Sequence, residues 1–228
     1  MKFLKNSLIV LLTMSMIVTM STSLPVSAKS KDSFQTVLNN AVLTPTITGY
    51  EPADQAISAV LAAITTPEMT TYQKVQACYD YLINTCSYGE NKVVYDKIED
   101  YFYGYAGPVG AYGLLVGHVG VCDDYSDAFV AMMRTLGLNS YVVGGQTHKA
   151  SGGYTPHAWA IVKIDGIEYV FDPQLDDNIA KGGKIGYYRF GKTYDQIPGK
   201  YAFEYISDKF VPFDHMPEQY LKPCIVWY

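Results

Sequence analysis

Charge is scarce in this chain, and positive charge scarcer still. Its 228 residues hold 17 Lys and Arg against 22 Asp and Glu, a net charge of -5. No basic cluster appears anywhere along it, which excludes the electrostatic footprint of a nucleic-acid binder. Cysteine is limited to four positions, 78, 86, 122 and 224. That is too sparse for a small domain stapled by disulfides, so each cysteine has to be read by itself. His148 and His215 have no partners at ligand spacing, which argues against a zinc site. There is no internal repeat, and after the N-terminal region no apolar run is long enough to cross a membrane. What remains, at 17% charged and 49% hydrophobic, suits a folded globule rather than a disordered chain. The length is enough for one domain with a sizeable core.

The N-terminus carries a basic stub, Lys2 and Lys5, then an apolar run from Leu8 to about Met20, then a polar stretch ending in Val26-Ser27-Ala28. This is the pattern of a secretory signal peptide cut after Ala28. Thr and Ser interrupt the apolar run, which is short for a membrane span. The domain organisation expected is a signal peptide over 1–28, a lead-in and helix over 29–66, and the main domain over 67–228. Cleavage removes two lysines and no acid, moving the net charge from -5 to -7. The mature protein is expected to be secreted, monomeric and free of the membrane, in a compartment that permits disulfides.

Residues 29–50 are polar, with Pro45 and Gly49, and read as an exposed lead-in. Over Glu51–Ile64, Ile57, Val60, Leu61 and Ile64 share one helical face. A second helix starts near Thr70 or Thr71, whose hydroxyls suit a cap. Its apolar face is Val75, Cys78, Tyr79, Leu82, Ile83 and Cys86. Eight residues at helical rise put Cys78 and Cys86 about 12 Å apart, too far for a disulfide within one helix, so buried free thiols are expected there. Residues 88–117 are rich in Tyr and Gly, with tyrosines at 88, 95, 101, 103, 105 and 112. They suit aromatic packing around a loop-rich segment better than a ligand platform. From Cys122 a helix carries Tyr125, Phe129, Met132, Met133 and Leu136 at spacings of 3, 4 and 7, and Gly137 stands where a helix C-cap glycine belongs. Ser140–Val143 reads as a strand, residues 144–156 as a polar loop, and His157–Ile164 as a second strand. Asp165-Gly166 reads as a two-residue hairpin turn and Ile167–Asp172 as the return strand. Strands and loops are expected in the last 40 or so residues, with prolines at 198, 212, 217 and 223.

The hairpin register brings chemistry into view. With a two-residue turn, Ile164 lies opposite Ile167, and counting outward puts Trp159 opposite Asp172. His157 is two residues along, on the same face. His157 and Asp172 are then diagonal neighbours, roughly 7–8 Å apart at the backbone, within reach of an imidazole and a carboxylate. A one-residue bulge would destroy this register. Cys122 opens a helix after Gly120-Val121. A helix N-terminus favours negative charge and presents free N–H groups that could hold an oxyanion. A thiol at a helix start with a carboxylate-oriented histidine is an arrangement for nucleophilic acyl transfer. Against this, a lone Cys at a helix start is commonly a small core residue, and His157 and Asp172 alone could be a structural pair.

Three segments in order, Gly120-Val121-Cys122-Asp123-Asp124-Tyr125-Ser126, His157-Ala158-Trp159 and Tyr169-Val170-Phe171-Asp172-Pro173, resemble the transglutaminase-like core. The resemblance runs from about Thr71 to Asp177 and takes in the helix containing Ala77-Cys78-Tyr79-Asp80-Tyr81-Leu82. It implies an α+β, papain-like fold with the catalytic Cys at a helix N-terminus packed on an antiparallel sheet. Cys122 would be the nucleophile, His157 the general base and acid, and Asp172 the residue that orients it. The family includes transglutaminases, which join a glutamine amide to an amine through a thioester, cysteine peptidases, and members that have lost catalysis. Many bacterial members have Gly two residues after the Cys where this chain has Asp124, which bears on the subfamily. The calcium sites of animal transglutaminases have no room here, so no metal and no cofactor are expected. The expected substrates are proteins or peptides, cell-wall peptides among them. Two other classes stay open: a binding module that keeps the fold without turnover, and a surface structural protein.

Among the other candidates, His118 suits a surface loop better than a cleft wall, and Tyr112 suits packing better than a second oxyanion donor. Asp176 and Asp177 read as loop charges. Trp159 reads as either cleft wall or core. Cys224 could pair with Cys78 or Cys86, and nothing in the sequence decides it.

Overall fold

A computed structural model describes residues 33–89, 106–149, 151–197, 199, 201–206 and 226–227. The expected signal peptide over 1–28, Tyr95, Tyr101, Tyr103, Tyr105, His215, Cys224 and the prolines at 198, 212, 217 and 223 lie outside the described residues.

Helix α1 (Phe34–Asn39) is capped by the Ser33 hydroxyl, α2 spans Glu51–Ile64 and α3 spans Thr71–Thr85. Thr70 and Gln73 close α3 reciprocally. The Thr70 hydroxyl accepts the Gln73 N–H and the Gln73 amide oxygen accepts the Thr70 N–H, which satisfies two donors that no helical carbonyl can reach. A short parallel bridge follows between β1 (Ser87–Tyr88) and β2 (Val119–Gly120), with α4 (Ala106–Gly117) before β2. Helix α5 (Cys122–Thr135) starts directly after β2. Every residue of it from Asp124 to Met133 is buried, because α4 and α3 flank it and strands β3 and β4 lie beneath it. Gly137, at φ +97°, ends it in the left-handed conformation that glycine adopts without a Cβ penalty.

Strands β3 (Ser140–His148), β4 (Tyr154–Ile164), β5 (Ile167–Phe171), β6 (Phe190–Lys192), β7 (Tyr201–Ile206) and β8 (Val226–Trp227) form one antiparallel sheet in the order β6-β5-β4-β3-β7-β8. Between β5 and β6 lies helix α6 (Pro173–Ala180). Helices on one face of an antiparallel sheet make this an α+β, papain-like core. Even-numbered β4 residues Ala158, Ala160, Val162 and Ile164 face the helices and share the main core with Phe129, Tyr79 and Phe171. Odd-numbered Trp159 and Ile161 build a second cluster on the other face with Val143, Val170, Ile197 and Tyr201. The alternation follows from the two-residue repeat of a strand.

Three expectations are corrected here. Residues 33–40 do not form an exposed lead-in. Leu38 is fully buried and Phe34 packs against Tyr169 and Phe171, with ring centroids 4.8 and 5.8 Å away. The polar composition misled because two apolar side chains suffice to dock one helical turn. Exposure holds further on, where Val42 and Ile47 lie open. The loop expected over 144–156 shrinks to the connection between His148 and Tyr154, since β3 continues through Gly144-Gly145. Asp172 leaves the sheet to become the N-cap of α6 rather than ending β5.

Gly145 explains the second correction. It pairs with His157 on one side and Phe203 on the other, at a bulge. A Cβ there would sit 2.0 Å from the Ala202 carbonyl oxygen and 2.9 Å from Trp159, so only glycine lets β7 close on β3. Gly145→Ala is expected to cost about 1–3 kcal/mol of stability, through forced overpacking. Denaturant unfolding measures this, and an unchanged midpoint would refute so close a seating of β7.

Candidate active site

Three elements deliver the site. Cys122 is the first residue of α5 and is half-buried. Its helix start is fixed by the Asp124 carboxylate, which accepts the Val121 N–H at 2.9 Å, and by the Ser126 hydroxyl, which donates to the Cys122 carbonyl at 2.8 Å. Asp124 is buried under Gly120, where an added Cβ would lie 2.8 Å from its own Cβ. The acid at this position is thus a structural cap in this chain.

The hairpin delivers His157 and Asp172. Asp165 and Gly166 both adopt positive φ, 51° and 81°, the two-residue turn whose twist suits a hairpin. The ladder runs Ile164 to Ile167, out to Ala160 opposite Phe171, in the register the turn predicts. The chain breaks away at Asp172, yet the His157 Nε2 to Asp172 Oδ2 distance is 2.7 Å. Both side chains are almost wholly buried. Cys122 lies near enough to the same imidazole to favour its protonated form. Cys122, His157 and Asp172 are therefore brought together.

Asp172 is held from three sides. Its Oδ1 accepts the Leu175 N–H at 3.0 Å as the α6 cap, and its Oδ2 accepts the Tyr201 hydroxyl at 2.5 Å as well as His157. Its carbonyl accepts the Tyr79 hydroxyl at 3.0 Å, and Tyr79 also contacts the Asp176 carboxylate at 2.8 Å. Asp176 is bound in turn by the Arg189 guanidinium and backbone N–H, each at 3.1 Å. Asp176 is thus a buried ion-pair member and not a loop charge. Asp177, in the same helix, accepts the Tyr125 hydroxyl at 3.0 Å.

Burial alone would lower the proton affinity of His157. The Asp172 charge and hydrogen bond, and the contact with Cys122, outweigh it and push His157 up to about 10. Burial would likewise raise Asp172, but the His157 charge, with hydrogen bonds from His157, Tyr201 and Leu175, holds it below its ordinary value. Linkage fixes the sign. The raised His157 stabilises the fold fully below its ordinary value of 6.5, and that contribution is lost as pH rises toward about 10. The depressed Asp172 contributes above its ordinary 3.8 and loses that contribution as pH falls below it. The wild-type protein should therefore lose stability relative to His157→Gln from near neutrality toward about pH 10. Denaturant midpoints across that range measure it, and parallel curves would contradict it.

Trp159 is core. It is fully buried, stacked near His157 with centroids 6.2 Å apart, and donates its indole N–H to Tyr194 at 2.8 Å. Tyr112 packs edge-on against Tyr50, and His118 and His148 are exposed. Cys78 and Cys86 are buried free thiols, and burial pushes them up to about 12 and about 11. Among the described residues, no three His, Cys, Asp or Glu side chains converge as a metal site. Tyr201 and Arg189 escaped sequence reasoning, because neither lies in a motif nor at a spacing from Asp172 that a hairpin count can reach. Tyr79 stood on a recognised helix face, and its hydroxyl was the signal that it reached past the core.

The Transglutaminase-like superfamily profile matches residues 58–173, half of the chain, and the chain belongs to that superfamily. The superfamily includes cysteine-dependent enzymes. Two similar solved structures are a provisionally assigned cysteine protease from Cytophaga hutchinsonii and a TGase. The first is 18% identical at a TM-score of 0.41, over 65% of this chain and 44% of that one. The second is 22% identical at a TM-score of 0.35, over 65% of this chain and 35% of that one. The chain spans less than half the length of either. No curated protein matches it.

Proposed function

We propose that this protein is an exported thiol enzyme that attacks peptide or glutamine amides through a thioester on Cys122. The observation that carries the reading is a buried His157–Asp172 pair at 2.7 Å, with Cys122 at a helix start acting on the same imidazole. His157, raised to about 10, already holds the proton given up by Cys122 as an imidazolium when sulfur attacks the carbonyl carbon. The tetrahedral oxyanion meets the positive end of α5, the helix that Cys122 opens. The C–N bond then breaks, and His157 returns the proton to the departing amine or ammonia, leaving the thioester. An amine or water, deprotonated by His157, attacks the thioester and frees the thiol. Amine gives transfer; water gives hydrolysis. Export is supported by the N-terminal pattern ending at Ala28, and cell-wall or extracellular peptides are the substrate class in keeping with it.

The test is alkylation of the mature protein near neutral pH, located by peptide mapping. Selective modification of Cys122, lost in His157→Ala, is expected. If Cys122 reacts no faster than an unfolded thiol, the reading fails. Labelled amine incorporated into a glutamine donor then marks the transfer branch, and hydrolysed product alone marks a peptidase.

A further inference from the structure

We propose that Tyr201 is a positioning residue for this chemistry, its hydroxyl holding the Asp172 carboxylate and setting how strongly that carboxylate draws on His157. The inference rests on the reading of Cys122, His157 and Asp172 as one reacting set. Tyr201 lies on β7, 29 residues beyond Asp172 and 1% exposed. Its hydroxyl and the His157 Nε2 meet the same oxygen, Oδ2, at 2.5 and 2.7 Å. The Arg189 guanidinium favours the ionised phenol, opposing the rise that burial and Asp172 impose, and it also binds Asp176. The tyrosine therefore stands between a partly buried cation and the carboxylate that orients the histidine. The ring is fixed as well. It packs edge-on against Trp159 at 4.8 Å, and Trp159 stacks near His157. Gly145 leaves the space in which β7 can bring it there.

A buried tyrosine that merely filled space would need no acceptor shared with the imidazole. Sharing has an electronic consequence. Each donor on Oδ2 draws density from it and lowers its affinity for a proton, so the imidazolium beside it is held less firmly. Burial and the neighbouring Asp172 keep the phenol protonated, so it donates throughout the working range. The titratable and charged groups around this point are His157 from β4, Cys122 from α5 beyond it, Tyr79 from α3, Asp176 from α6, Arg189 ahead of β6, and Tyr194 against the Tyr201 ring.

The experiment is an NMR titration of the His157 imidazole in the full mature chain. It is run in a Cys122→Ala background so that thiol ionisation does not contribute. Tyr201→Phe keeps the ring and removes the donor, and should move the His157 midpoint upward by about half a pH unit or more. Site-specific 3-fluorotyrosine at 201, a more acidic and stronger donor, should move it downward. Midpoints unmoved in both proteins, or moved in the reverse sense, would reduce Tyr201 to packing and overturn the proposal. If Tyr201→Phe does not fold, the fluorinated protein decides alone, since it changes one hydrogen for fluorine. With the thiol restored, the alkaline limb of Cys122 alkylation should move with the imidazole midpoint. Wild-type Cys122 reacting like an unfolded thiol would remove the acyl-transfer reading, while the imidazole titration would still judge the Tyr201 coupling.

Discussion

Cys122→Ala is expected to abolish turnover, by about 10⁴-fold or more, with the fold intact. Removing a nucleophile removes the only route to a covalent intermediate, and what survives is binding and oxyanion stabilisation. No other described thiol can stand in. Cys78 and Cys86 lie inside the core, and burial keeps them protonated far above neutrality. Stability should change little, because Cys122 is half-buried at the first helical position and alanine is a better helix former there. Amide turnover and thermal unfolding of the same preparation make the measurement. Activity retained in a folded Cys122→Ala protein would bring forward the module that binds without turnover.

Asp172→Asn should be nearly as severe, lowering turnover by about 10²–10⁴-fold, in line with other triads that lose their acid. The reason is geometric. Two oxygens of Asp172 serve two ends: Oδ1 caps α6 through Leu175 and Oδ2 accepts from both His157 and Tyr201. An amide has one oxygen. Turned toward Leu175, it leaves its NH₂ facing the donors of His157 and Tyr201. Turned the other way, it sets the NH₂ against the Leu175 N–H. Either way a buried donor loses its partner, at a stability cost of about 1–3 kcal/mol. The imidazole also loses the acceptor that fixes which nitrogen carries its proton. Turnover and denaturant midpoint should fall together, and a fall in one alone would show that Asp172 serves only that one end.

Much of this was readable from local signals. Asp165-Gly166 set the hairpin, and with it the pairing that places His157 within reach of Asp172, because a two-residue turn leaves one register. Gly137 marked the end of α5 through the one conformation that favours glycine. The Cys122 helix showed its apolar spacing. Beyond such signals the sequence was silent, for a physical reason in each case. Gly144-Gly145 looked like loop because a close strand approach depends on Ala202, a residue far along the chain. Asp176 looked like a surface charge because its partners, Tyr79 and Arg189, are set by tertiary packing. Tyr201 belongs to a strand whose place beside β3 no periodicity announces.

The network that anchors Asp172 also has a bearing on the order of folding. The Tyr79 contact with Asp176 spans 97 residues, and β7 must travel past α6 and β6 to reach β3. Closing such long loops costs entropy before the contacts repay it, so distant pairings form slowly and late. The hairpin carrying His157 needs only a local turn. During folding the imidazole therefore approaches its carboxylate early, while the tyrosine that holds the carboxylate arrives with β7. Full assembly of the site is then a late kinetic event, and the reactivity of Cys122 followed in time would report the completion of folding rather than its onset.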